Sequence, residues 1–112
     1  MSTPTTQSFD QPDTTMDLIE RIKLDTVDVG GVTLTRVTAE PGWQWSVHSK
    51  PVLKTDSCQL DHVFLVLSGR VAARDHDGVQ IDYAAGDLAH IPPGHDGWTV
   101  GDEPAVWVEI GH

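Results

Sequence analysis

Between Val32 and Ile110 the apolar residues come in short bursts, each closed by glycine, proline or aspartate. Alternation of apolar and polar positions predicts strands over 32–39, 43–48, 62–69, 70–75, 79–83, 88–91 and 105–110. The punctuation lies at Gly30-Gly31, Pro41-Gly42, Asp77-Gly78, Gly86-Asp87 and Pro92-Pro93-Gly94, with Asp77-Gly78 suited to a hairpin turn. The stretch DLIERIKLD (17–25) fits either a short helix or an edge strand. Many short strands without a long helix predict an all-β fold, a small antiparallel barrel or jelly roll.

The alternation also assigns faces. On the strand from His62, one face carries His62, Phe64, Val66 and Ser68, and the other Val63, Leu65 and Leu67. A histidine at the head of an apolar face is either a hydrogen-bonded core residue or a ligand. On WQWSVH (43–48), Trp43, Trp45 and Val47 share a face, leaving Gln44, Ser46 and His48 toward water or a polar cavity.

Residues 1–16 are rich in Ser, Thr, Pro and Gln, and the expectation is a flexible tail that Phe9 could pin, ahead of a single domain over 17–112. The chain holds 17 acidic and 7 basic residues among 112, a formal net charge of −10. That field argues against nucleic acid and anionic membrane partners. No apolar run reaches membrane-spanning length, no signal peptide is read, and the single cysteine, Cys58, forms no internal disulfide. The expected location is therefore the cytoplasm. Phosphate-cradling glycine loops, paired cysteines and a serine nucleophile elbow are all missing.

Two stretches carry more than turn chemistry. GDLAHIPPG places Gly86, then Pro92 after five residues, then Gly94 after one more. HVFLVLSGRV leads a strand into a turn at Gly69, and Gly42 is followed by His48. This pattern resembles the two motifs of the cupin superfamily, across residues 30 to 110, and implies a cupin barrel with a metal site and a homodimer. The departures are specific. His62 stands where cupins usually place glutamate, and Lys50 occupies the place of a second histidine. Counting back from Gly69 instead puts Cys58 there, with SKPVLKTDS (49–57) as an insertion. Gly97 takes the place of the usual later histidine, and His95 directly follows Gly94.

The candidate ligands are His48, Cys58, His62 and His95, for a divalent transition metal: zinc, iron, nickel or copper. The plainer readings are a core histidine at 62, a turn histidine at 95 and a small buried thiol at 58. A straight strand from Cys58 to His62 would separate them by about 13 Å, so shared ligation requires a bend in CQLD. Asp61 and Asp96 flank candidate ligands and could accept a ring N–H, and Trp98 is the aromatic residue expected to line a pocket. A Cys58–histidine nucleophile pair finds nothing local to orient it. The functional expectation is a metal-binding protein acting on a small molecule by oxygenation, isomerisation or lyase-type chemistry. The alternative is a ligand-binding or sensory module without turnover. Leu18, Ile19, Ile22 and Leu24 are the candidates to cross to a partner copy.

Overall fold

The computed structural model describes residues 3–111, so Met1, Ser2 and His112 lie outside the described residues. Nine strands are present: β1 (Thr14–Met16), β2 (Ile22–Val29), β3 (Val32–Ala39), β4 (His62–Ser68), β5 (Arg70–Asp75), β6 (Gln80–Ala84), β7 (Leu88–Ile91), β8 (His95–Thr99) and β9 (Ala105–Ile110). All pairings are antiparallel. One sheet runs β1-β2-β3-β9-β4-β7 and faces a smaller sheet, β6-β5-β8. The two sheets form a jelly-roll sandwich and are not joined into a closed hydrogen-bonded barrel.

Alternation puts the core between the sheets. Phe64 and Val66 of β4, Val37 and Ala39 of β3, and Ala105 and Trp107 of β9 are buried. Val63 and Leu67, on the opposite face of β4, are exposed, in agreement with the face assignment from sequence. The ambiguous stretch 17–25 resolves as loop followed by the start of β2, because Ile22 to Val29 pair residue by residue with β3.

WQWSVH is not a strand. Trp45–Ser49 winds into a π-helical turn that runs into one α-helical turn, α1 (Lys50–Leu53). Asp96 on β8 makes this turn, accepting from Gln44 Nε2, the Ser46 backbone N–H and Ser46 Oγ. Trp43 and Trp45 are both buried, whereas Val47 is exposed. A side-chain staple from 50 residues away overrides the local alternation.

HDGWT is a strand, β8, where sequence reading placed only a turn. Its interior glycine, Gly97, has carbonyl and aromatic neighbours close to where a Cβ would stand, so the missing side chain reflects close packing.

The chain ahead of β2 touches the sheet. β1 pairs with Leu24, Asp25 and Thr26 and ends at Met16, the last residue of the segment expected to be a tail. Asp25 is only 2% exposed and lies directly opposite Arg36 in the β2–β3 register. Arg36 Nη2 donates to Asp25 Oδ2 at 3.0 Å and to the Phe9 carbonyl at 3.2 Å, and its guanidinium stacks over the Phe9 ring. Burial opposes ionisation of Asp25, but the bonds from Arg36 and Thr15 outweigh it and hold its pKa below the ordinary value. A paired, hydrogen-bonded carboxylate is what permits an aspartate this deep.

Candidate metal centre

Three of the four candidate ligands converge. One ligand atom from each of Cys58, His62 and His95 lies within 4.8 Å of the others. The convergence joins the two sheets at one end. Cys58 forms an isolated bridge to His95 at the start of β8, with Cys58 N–H donating to the His95 carbonyl and Gly94 N–H to the Cys58 carbonyl. His62 opens β4 in the other sheet. Residues 59–61 therefore cross between sheets, which is the bend that shared ligation required. Cys58 Sγ stands 3.4 Å from His62 Nε2.

Both imidazoles are oriented from behind. His62 Nδ1 donates to Glu109 Oε1 on β9, and His95 Nδ1 donates to the Pro92 carbonyl at 2.8 Å. A carbonyl and a carboxylate can only accept, so each ring keeps a proton on Nδ1, which leaves Nε2 as the atom that would ligate. Gly94, at φ +93, lets the Pro92–Gly94 turn curl so that Pro92 can reach His95. A Cβ there would also approach His76 Nε2 to 2.8 Å. The turn aims the histidine.

Burial disfavours charge on both Cys58 and His62, but their mutual contact overcomes it. With help from His95 and the Leu60 backbone, the hydrogen bond from His62 brings the thiol down to about 6. Cys58 and Glu109 together lift His62 to about 9. The thiolate that a metal requires is thus favoured near neutral pH, and ligation by His62 would release its proton. Glu109 also supplies the orienting group for a Cys–His pair that sequence reading did not find.

The donor set passes a test of fit. In a tetrahedral zinc site with Zn–S near 2.3 Å and Zn–N near 2.0–2.1 Å, the sulfur–nitrogen edge is about 3.6 Å. The observed 3.4 Å between Cys58 and His62 is close to that edge. One thiolate and two imidazoles suit zinc or copper.

His48 stands elsewhere. Its Nδ1 accepts the Gln44 backbone N–H at 3.1 Å, within the π-helical turn. Sequence reading placed it with the ligands by treating 43–48 as a strand, and the turn removes it. Asp61 and Asp96 do not serve the ligand rings: Asp61 pairs with His90, and Asp96 staples the turn. Glu109 takes the role expected of them. Its signal was available, since alternation on β9 puts Glu109 on the face of Ala105 and Trp107.

Cys58, His62 and His95 are among the residues that line a cavity of about 400 Å³. Trp43, Trp45, Phe64 and Trp107 supply the aromatic wall, and Trp98, expected there, is not among the lining residues. Trp43 Nε1 is satisfied by Ser49 Oγ at 3.2 Å, so its wall surface is hydrocarbon.

Comparison with known proteins agrees with this architecture. The Cupin domain family model matches residues 57–111. An RmlC-like cupin from Shewanella frigidimarina NCIMB 400 superposes with a TM-score of 0.66 at 16% identity, covering 96% of this chain and 89% of that one. KdgF from Halomonas sp. gives 0.65 at 12%, covering 97% and 92%. The polyketide cyclase RemF from Streptomyces resistomycificus gives 0.59 at 17%, covering 82% and 65%. At these identities the likeness is one of fold. No curated protein matches in sequence. Residues 57–111 carry the family match, and the fold over the whole chain is that of the cupin-like structures. Among the described residues no helix is long and apolar enough to cross a membrane.

Proposed function

We propose that this protein is a metal-binding cupin in which Cys58, His62 and His95 hold a divalent transition ion in the wall of an apolar cavity. The carrying observation is the convergence of three donors whose rings are fixed from behind by Glu109 and Pro92. Zinc and copper fit the thiolate best, with iron and nickel as the other members of the expected set. Three protein ligands leave a coordination position for a small molecule, and the bound ion would supply Lewis acidity there. The chain's own part is to orient the rings, keep the thiol ionised and exclude water with the aromatic wall. Oxygenation, isomerisation and lyase-type reactions on a small molecule all fall within this chemistry. Elemental analysis of protein purified without a histidine tag or chelator is expected to find one transition ion per chain. Protein that stays metal-free after incubation with zinc, copper, iron or nickel would overturn the reading.

A second reading is a ligand-binding or sensory module without turnover. It is favoured by Glu109, the one carboxylate lining the cavity, being engaged by His62 and so not free to shuttle protons. We place the protein in the cytoplasm, with its negative charge keeping nucleic acid and membranes away. A homodimer is the proposed assembly, because β7 is an edge strand and Leu88 on it is 73% exposed beside Val63 and Leu67. Light scattering at micromolar concentration is expected to give twice the chain mass; a monomer mass would end that proposal. Ile22, expected from sequence to cross to a partner, is buried within this chain, and Ile19 is buried with it.

A further inference from the structure

The cavity's lining is more selective than its volume. Among the residues that line it there is no lysine, arginine or aspartate. Beyond the metal cluster and Glu109, its polar groups are the tryptophan indole N–H groups, of which Trp107 Nε1 is buried without a partner, Ser49, already bonded to Trp43, and Thr55 and Gln59, both exposed. The rest is aliphatic and aromatic. Phe64 and Trp107 stand 5.4 Å apart between ring centroids, and Trp43 and Trp107 stand 6.3 Å apart.

An anionic ligand would find no lysine or arginine side chain among the lining residues. Burying a carboxylate or phosphate against hydrocarbon without such a partner is costly. The protein's net charge of −10 further lowers the local concentration of anions. Leu53 and Leu60, also among the lining residues, remain 50% and 56% exposed, an apolar surface on an otherwise acidic protein.

The volume sets the size. At about 30 Å³ per water, 400 Å³ corresponds to about 13 waters, roughly the bulk of a two-ring aromatic compound. We infer that the site takes an uncharged, compact aromatic molecule carrying one polar group, and rejects carboxylates, phosphates and sugars of the same size. This inference rests on the proposed function for the identity of the site, but its selectivity follows from the walls.

Two isosteres test it. 2-Naphthalenemethanol and 2-naphthoate share a ring system and differ in an uncharged alcohol against a carboxylate. Equilibrium dialysis at neutral pH, on zinc-loaded and on chelator-treated protein, is expected to show the alcohol binding at least tenfold more tightly, with no measurable binding of glucose. Equal or tighter binding of the naphthoate overturns the inference, as does failure of the alcohol to bind. Leu24→Trp enlarges a partly buried wall residue. It should weaken the alcohol by more than tenfold while zinc content stays unchanged; unchanged affinity would place the ring outside the cavity and overturn the inference. If Leu24→Trp does not fold, the isostere comparison on the wild-type protein decides alone. The two ideas fail separately. A protein that binds no metal but keeps the preference for the alcohol loses the metal reading alone. A stoichiometric zinc protein that prefers naphthoate loses the selectivity alone.

Discussion

His62→Ala is expected to abolish stoichiometric metal binding, the largest functional effect of any single substitution in the cluster. The change removes a ligand and, at the same time, the donor to Glu109 and the partner of Cys58. A carboxylate that is mostly buried then loses its hydrogen bond, at a cost of about 1–3 kcal/mol. Against a typical stability of roughly 5–15 kcal/mol the variant should still fold. Should it not, His62→Gln keeps a polar side chain in place of the ring and can be assayed instead. His95→Ala should weaken binding without abolishing it, since Cys58, His62 and Glu109 keep their mutual contacts. Glu109→Gln retains a hydrogen-bonding group but loses the charge that raises the basicity of the ring, and should lower affinity about 10- to 100-fold. The measurements are metal content by mass spectrometry and affinity by chelator competition, with circular dichroism to establish folding. Unchanged metal content in folded His62→Ala and His95→Ala would remove the site.

Gly69→Ala should be the most destabilising glycine replacement among the described residues. Gly69 joins β4 to β5 at φ +69, and a Cβ there would lie 2.1 Å from the Pro104 carbonyl oxygen and 2.8 Å from the Ala105 Cα. Both are backbone atoms, so no rotamer change relieves the clash, and β9, which begins at Ala105, would have to move. The left-handed conformation costs a non-glycine residue about 1–2 kcal/mol. Forced overpacking adds typically 1–3 kcal/mol. The sum, about 2–5 kcal/mol, is a large share of a small domain's stability. Gly78→Ala is the control. Its φ is +84 with nothing within 4 Å of a Cβ, so only the conformational cost applies. Urea unfolding should therefore show a much larger fall in midpoint for Gly69→Ala than for Gly78→Ala. Equal falls would mean that the start of β9 yields readily and that the close approach carries no energy.

Strand content and facing were determined locally. β3 and β9 coincide with the predicted spans, and β4, β5, β6 and β7 agree with theirs to within a residue at the ends. Alternation at period 2 is a property of the backbone, and it put Phe64 and Val66 on one shared face from sequence alone; the packing of the sheets made that face the inward one. Glycines at positive φ likewise marked the turns before and after these strands. Local patterning erred where a distant side chain took over. Asp96 wound Trp45–Ser49 into a π-helical turn, and His48 left the ligand set with it.

The site itself was half legible. Cys58, His62 and His95 were all named from their chemistry, but their meeting depended on two sheets packing face to face. Cys58 is pinned to β8 while His62 begins β4 in the other sheet, so no count of residues between them could measure the gap. Glu109 belongs to β9, 47 residues beyond His62, and reaches it only because β9 pairs with β4. The Asp25–Arg36 pair and the seating of Phe9 also join separate segments of the chain. The sequence by itself determined where β3, β4, β5, β6, β7 and β9 run extended, the glycine turns beside them, and which side chains could ligate. Tertiary structure alone decided which of them meet, because side-chain convergence depends on sheet order and packing, and these arise from contacts between residues far apart in the chain.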